Sequence, residues 1–142
     1  MPKLTALVLA LAVAVLVAAC KQAPTKEEKS AVDYGPKPEN HEQLIREYMR
    51  TRVNMDGVIF EFKGGPKPLY QQDTVLRPLQ YGWGNCVFVH DKRGTAFESY
   101  PMVFYIRNGV IVAVNGGPDD NVIGRRYALA GCNELGSPFL TR

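Results

Sequence analysis

Three cysteines and two histidines are the side chains of this sequence with the most chemistry available to them. Cys86 and His90 lie four residues apart, and a thiol next to an imidazole is the basis of cysteine nucleophiles. The residues around them alternate as in a β-strand, where four residues span about 13 Å. The thiol and the imidazole therefore do not meet on one strand, and we assign no catalytic residue.

Metal binding is not predicted either, because the available ligands are not suitably spaced. Asp119, Asp120 and Asn121 lack the alternating oxygen ligands and the terminal glutamate of a calcium loop. His41, His90 and the cysteines form no CxxC or HxxxH pair. We interpret the acidic stretch as the start of a helix, and we expect neither a metal nor another cofactor.

The first 20 residues predict where the rest of the chain resides. Lys3 precedes an uninterrupted apolar run, residues 4–19, that ends in small residues, as in a secretory signal. As a helix this run would cover about 24 Å, less than a hydrocarbon core of about 30 Å, so it is a poor membrane span. We expect residues 1–19 to be removed from the mature protein.

The end of this run, Leu16-Val17-Ala18-Ala19-Cys20, resembles the lipobox of bacterial lipoprotein precursors. The resemblance implies cleavage before Cys20, whose thiol and new amino group then carry acyl chains such as palmitate. Burial contributes about 0.8 kcal/mol per CH₂, so two or three chains anchor a small protein to a membrane essentially permanently. An aspartate after the cysteine favours the inner membrane in that family, and Lys21 implies the periplasmic face of the outer membrane. The alternative is an ordinary secretory signal with a chance cysteine.

Removal of the signal leaves 123 residues, enough for one domain, with a formal net charge of +2. No run of Lys or Arg exceeds two residues, so nucleic acid is not an expected partner.

Cys86 and Cys132 remain as an even pair in a compartment where disulfides persist. We predict a bridge between them, the alternative being two buried free thiols.

The mature chain begins with a polar segment and continues as a single α+β domain. Residues 20–39 are rich in Lys, Glu and Pro, which predicts a lipidated cysteine and a disordered tether, with the domain over 40–142. Asn40 and Gln43 have capping-box spacing at the start of a helix over 41–52. One face of that helix is apolar, with Leu44, Ile45, Tyr48 and Met49.

The remaining pattern predicts a small antiparallel sheet of about four strands. The first three cover 58–62, 79–89 and 97–106, and Pro101 indicates an edge position or a bulge in the third. Asn108-Gly109 predicts a two-residue type I′ hairpin into the fourth strand. Counting outward from this turn gives the pairs Ile106–Ile111, Tyr105–Val112, Phe104–Ala113 and Val103–Val114.

Two helices complete the prediction. The side of the sheet that carries Met102, Phe104 and Ile106 is the more uniformly apolar, so we place the N-terminal helix against it. A short C-terminal helix over 119–130 would place Ile123 and Tyr127 on one side and end at Gly131.

The body of the domain is similar to small, uncharacterised lipoproteins of the outer membrane and periplasm. The matching residues are Leu44-Ile45-Arg46-Glu47-Tyr48-Met49, Cys86-Val87-Phe88-Val89, Asp91-Lys92 and Phe104-Tyr105-Ile106-Arg107-Asn108-Gly109. The resemblance implies a fold and a location without an assigned activity.

These observations favour a lipid-anchored, non-catalytic periplasmic module that acts by contact with an envelope protein or a cell-wall component. The alternative is a small domain that binds a glycan or inhibits a lysozyme-type hydrolase, using the Tyr81/Trp83 face or the loop 69–78. An enzyme would require a cleft in which His90, Asp91 and another polar group converge.

Overall fold

A computed structural model describes residues 24–71, 79–93 and 98–137. Its centre is a four-stranded antiparallel sheet in which the strands follow one another in chain order. The strands are β1 (Val58–Gln71), β2 (Gln80–Asp91), β3 (Glu98–Arg107) and β4 (Val110–Gly116). Together with helices on both sides of this sheet, the architecture confirms the predicted α+β class.

The turn between β3 and β4 confirms the predicted hairpin. Asn108 and Gly109 both have positive φ, 51° and 75°, as a type I′ turn requires. Ile106 pairs with Ile111 as predicted, but a bulge then shifts the ladder by one residue. Beyond Val112 the predicted pairs are wrong, because Tyr105 lies opposite Ala113, Phe104 opposite Val114 and Val103 opposite Asn115.

β1 is longer than predicted, since the Gly- and Pro-rich segment after Phe62 does not end it. The register with β2 shifts between Phe62 and Gly64 and again between Gly64 and Lys67. These irregular residues interrupt the pairing locally but do not end the strand. Residues 69–71 of the predicted loop 69–78 are therefore part of a strand. Residues 72–78 lie outside the described part of the chain.

At Pro101 the third strand is paired with a neighbour on one side only. It pairs with Phe88 of β2, but β4 ends at Gly116, opposite Met102. The carbonyl of Pro101 lies next to Gly116, on the β4 side. A residue without an N–H group is tolerated here because the ladder with β4 has already ended.

The first face of the sheet is covered by the predicted N-terminal helix. Helix α1 (Lys26–Ser30) precedes it, and α2 (His41–Arg50) begins at the predicted residue and ends two residues early. The predicted capping box is wrong, since Asn40 makes no side-chain cap and Gln43 donates to Glu47 instead. The predicted position against the sheet is confirmed by one apolar cluster, which contains Ile45, Met49, Phe60, Val87, Val89, Met102, Phe104 and Ile106.

The second face is covered by α3 (Val122–Glu134), which differs from the predicted C-terminal helix. Asn121 caps its first turn, and the helix passes through Gly131 instead of ending there. Ile123, predicted to share one side of the helix with Tyr127, is 49% exposed. The buried residues of α3 are small, namely Gly124, Ala128, Gly131 and Cys132, and a Cβ on Gly131 would lie 3.1 Å from Val103.

The predicted disulfide joins α3 to the centre of the sheet. The sulfur atoms of Cys86 on β2 and Cys132 on α3 are 2.10 Å apart, and the Cα atoms are 5.0 Å apart. Both residues are fully buried with Leu69, Val103, Tyr105, Ala128 and Leu135. The C-terminal helix is thus linked covalently to β2, as the cysteine count predicted.

The predicted disordered tether is wrong for the part that the structure describes, residues 24–39. Thr25 forms a reciprocal capping box with Glu28 at the start of α1. Residues 31–39, which we call the strap, then run over the domain, and Pro38 within them is buried. Composition missed this packing because a few aromatic and proline contacts suffice to hold an otherwise polar segment.

Candidate functional site

The predicted signal, residues 1–19, and the predicted lipidation site, Cys20, lie outside the described residues. The lipobox therefore stays a prediction. Within residues 24–71, 79–93 and 98–137, no helix is long and apolar enough to cross a membrane. What the structure does describe is the domain that this signal would deliver, and two of its surfaces combine groups capable of binding or chemistry.

The first surface is an aromatic cluster at the end of the sheet where β2 begins. It contains the predicted ligand-binding residues Tyr81 and Trp83, both half-buried. The ring of Tyr34, in the strap, meets them edge-on, with centroids 6.2 and 6.4 Å away. The indole Nε1 of Trp83 donates to the carbonyl of Gly35 at 3.0 Å. The chain thus uses its predicted ligand platform to hold its own strap.

Other groups further limit access to Tyr81. The Tyr70 ring is nearly parallel to it, with centroids 6.3 Å apart, and the Arg107 guanidinium carbon lies 4.3 Å from the Tyr81 centroid. A cation over a ring face is a favourable electrostatic contact. A planar ligand would have to displace either Arg107 or the strap in order to stack on these rings.

A groove lies beside this cluster, between α1 and the open edge of β1. It encloses about 650 Å³ and is lined by Lys26, Glu27, Lys29, Ser30, Tyr34, Pro68, Tyr70 and Glu134. The Tyr34 hydroxyl donates to the carbonyl of Lys29 at 2.9 Å, which connects the strap to α1. The groove therefore combines two tyrosine rings with two lysine side chains. One of its walls, α1, is attached to the strap.

The second surface lies toward the opposite end of the sheet and is polar. His90 Nδ1 lies 2.8 Å from the Ser99 hydroxyl, and His90 Nε2 lies 3.1 Å from a Glu61 carboxylate oxygen. The three residues come from three adjacent strands, with His90 directly opposite Ser99 in the ladder. Lys63 pairs with Glu61 and lowers the pKa of that carboxyl, and the hydrogen bond from His90 adds to the effect.

The order of serine, imidazole and carboxylate resembles a hydrolase triad, but the two ring nitrogens have the reverse roles. In a serine hydrolase Nε2 accepts the serine proton and the carboxylate orients Nδ1. Here Nδ1 contacts Ser99 and Nε2 contacts a carboxylate that is itself paired to Lys63 on an exposed surface. We therefore regard these three residues as a polar array across the strands rather than an assembled nucleophile.

Asp91 does not join this array, contrary to what the enzyme hypothesis required. The Arg93 side chain donates to both of its carboxylate oxygens, at distances from 2.5 to 3.1 Å. These hydrogen bonds, with that from the Arg93 backbone N–H, lower the pKa of Asp91 to about 2. Cys86 is equally unavailable to His90, because its sulfur is in the disulfide.

An open groove of about 660 Å³ adjoins the array through Ser99. Its walls are Glu98, Ser99, Tyr100, Pro101, Gly117, Pro118, Arg125 and Leu129. Val122 and Ile123, which begin the helix that supplies Arg125, are 66% and 49% exposed. We call these two residues and the groove the distal surface, because they lie away from the strap.

Sequence reasoning missed Ser99 and Glu61, and it also missed a buried polar network. Tyr105 donates to the side-chain oxygen of Gln71, and Asn115 donates to Gln80 at 2.6 Å and to Gln71 at 3.3 Å. A correct strand register would have revealed the pair His90–Ser99. The network joins all four strands, so local sequence carried no signal for it.

Among the described residues, no group of three or more His, Cys, Asp or Glu side chains is placed to hold a metal ion. Asn121 instead accepts from the N–H of Gly124, and Asp120 from that of Gly116, so this acidic stretch supports the turn into α3.

Searches of family models, curated proteins and solved structures found no match to this chain.

Proposed function

We propose that this chain is a lipid-anchored, non-catalytic module on the periplasmic face of the outer membrane, acting by contact with an envelope protein or a cell-wall component. The observation that carries the proposal is the run Leu16-Val17-Ala18-Ala19-Cys20 after a basic start. The disulfide between Cys86 and Cys132 supports it, because such bonds persist in oxidising compartments such as the periplasm.

The distal surface is the part of the domain best suited to such a contact. Val122 and Ile123 are large apolar side chains that are exposed to solvent. The disulfide holds their helix against the sheet. Exposed apolar side chains next to a polar groove are typical of protein interaction sites. Preorganisation by the disulfide would reduce the entropy that binding costs.

The alternative, a glycan-binding or hydrolase-inhibiting domain that uses Tyr81 and Trp83, has weaker support. The Trp83 N–H already donates to Gly35, and Arg107 lies over Tyr81. A ligand would compete with intramolecular contacts on both side chains. Addition of peptidoglycan fragments should therefore leave the Trp83 fluorescence unchanged, and a saturable change would favour this alternative.

Intact-mass measurement of the protein purified from membranes tests the anchor. We expect a mature chain that begins at Cys20 and carries acyl chains, and a Cys20→Ala variant that is not cleaved by the lipoprotein pathway and carries no acyl mass. A wild-type mass without acyl chains would refute the proposal. A Lys21→Asp variant should move from the outer to the inner membrane fraction, which tests the location separately.

Crosslinking in intact cells, followed by solubilisation in detergent, tests the contact. We expect a stoichiometric partner for the wild type and reduced recovery for Ile123→Lys. Val110→Lys is the matched control, because Val110 is 59% exposed but lies next to the hairpin turn, away from the distal surface. Equal loss with both variants, or no stoichiometric partner for the wild type, would contradict the proposed contact.

A further inference from the structure

We propose that α1 and the groove beside it face the phospholipid headgroups, so that the domain stands on the membrane in one orientation with its distal surface outward. This inference rests on the proposed lipidation of Cys20. It goes beyond the anchor itself, since an anchor on a long flexible tether would leave the domain free to tumble.

The short length of chain between the anchor and the fold limits how far the domain can lie from the membrane. Only three residues lie between Cys20 and Pro24, where the described structure begins, so the two are four residue steps apart. A fully extended chain spans at most about 3.6 Å per residue, so these two Cα atoms lie within about 14 Å of each other. A flexible 19-residue tether would instead have an end-to-end distance of about 24 Å.

The strap fixes the start of the described chain to the domain. Trp83 holds Gly35, Tyr34 holds the end of α1 at Lys29, and Pro38 is buried. Gly35 also lies against the Asn108 side chain in the hairpin turn. The anchor is therefore tied to the end of the sheet that carries the aromatic cluster.

The side chains of α1 and the groove are of the types that contact phospholipid headgroups. Lys26 and Lys29 can pair with lipid phosphates, and Tyr34 and Tyr70 have rings of the kind that favours the membrane interface. Glu27 and Glu134 line the same groove, so net attraction to anionic lipid is small. The surface is thus suited to rest on headgroups when the anchor brings it there, without binding lipid by itself.

The consequence is an orientation for the rest of the molecule. His90 lies seven residues beyond Trp83 along β2, a distance of about 23 Å at the usual rise per residue. The polar array and Arg93 then lie on the side away from the bilayer. The distal surface would face the periplasm, where an envelope partner can reach it.

The disulfide provides a direct way to test this orientation. Because Cys86 and Cys132 are bonded to each other, Cys20 is the only free thiol of residues 20–142, and a maleimide phospholipid couples there alone. The tethered protein is placed on vesicles of phosphatidylethanolamine and phosphatidylglycerol. A water-soluble acetylating reagent and mass spectrometry then report the reactivity of each lysine.

We expect Lys26 and Lys29 to lose most of their reactivity on vesicles, while Lys92, which follows the far end of β2, keeps its own. Uncoupled protein mixed with the same vesicles should show no protection. A variant with 20 Gly and Ser residues inserted after Lys21 should recover the reactivity of Lys26 and Lys29. Equal protection of Lys92, no protection of α1, or protection that survives the insertion would overturn the inference.

The two proposals fail in distinguishable ways. Chemical coupling supplies the lipid, so the lysine pattern tests the geometry whether or not cells acylate Cys20. The intact mass of the native protein tests acylation alone. An unmodified native chain that still orients when coupled would refute the proposed function and leave only the geometric argument.

Discussion

The two faces of the sheet are each covered by one helix, and different forces hold the two helices. Under α2 the contact is a continuous cluster of large apolar side chains, with Ile45 fully buried at its centre. Under α3 the helix contributes Gly, Ala and Cys, and the interface adds a disulfide and a hydrogen-bonded network around Tyr105.

The difference follows from side-chain size. Small residues let α3 approach the sheet closely, as the spacing of Gly131 from Val103 indicates. They also remove little apolar surface from water, and hydrophobic stabilisation grows with that area at about 25 cal/mol per Å². A helix held by small residues therefore depends more on covalent and polar contacts than a helix held by Ile and Met.

The largest test of this contrast is removal of the disulfide. The double variant Cys86→Ala/Cys132→Ala should lose about 4 kcal/mol of unfolding free energy, because the bond closes a loop of 46 residues in the unfolded chain. Urea unfolding of variant and oxidised wild type measures the loss. Ile123→Ala, at an exposed site of the same helix, is the control. A loss no larger than that of the control would show that packing alone holds α3.

The second test is on the other face. Ile45→Ala should cost about 3 kcal/mol, since it removes a fully buried side chain and leaves a cavity in the apolar cluster. Gln43→Ala, which loses only an exposed contact with Glu47, should change stability by less than about 0.5 kcal/mol. The same urea titration compares them. A small cost for Ile45→Ala would mean that α2 is not held by hydrophobic burial.

The same contrast explains which parts of the fold the sequence predicted. α2 has an apolar stripe of large side chains, so its first residue and its buried face could be predicted, and its end was missed by two residues. In α3 the largest apolar side chains at its start, Val122 and Ile123, face water, and the buried positions are glycine, alanine and cysteine. A hydrophobic pattern identifies large buried residues and carries little information where the helix contacts the sheet through small ones.

For the candidate sites too, the sequence predicted some features and missed others. Cys86 and Cys132 were paired by counting, since only two cysteines remain after Cys20. Strand alternation predicts that Tyr81 and Trp83 share one face of their strand. That the strap covers them was missed, because Tyr34 and Gly35 are far from them in sequence. The bulge at Val112 likewise has no local signature, and it shifts every later pair of β3 and β4.

A third test concerns the polar network under α3. Asn115→Ala should cost about 2 kcal/mol, because the buried side-chain oxygen of Gln71 and the half-buried one of Gln80 each lose a donor. Asn40→Ala is a matched control, since Asn40 is exposed and its side chain makes no cap hydrogen bond. Thermal and urea unfolding compare the two. Equal effects would mean that the network contributes nothing specific to this face.

The smallest effect that we expect is a pH dependence from Tyr105. Burial raises the pKa of its hydroxyl above the ordinary value of about 10, so in alkali the unfolded chain releases this proton while the folded chain keeps it. The resulting stabilisation is complete below about pH 10 and is lost as the pH rises further, by no more than about 1.4 kcal/mol per pH unit.

Tyr105→Phe removes this dependence and leaves the other tyrosines unchanged. Its baseline stability falls, because Gln71 loses a donor, but between about pH 9 and pH 11 its stability should decline less steeply than that of the wild type. Tyr81→Phe, on the half-buried aromatic cluster, is the matched control for the loss of a tyrosine hydroxyl. If Tyr105→Phe and the wild type decline in parallel, the hydroxyl is accessible to water and the network under α3 is open, which would remove the polar half of the contrast between the two faces.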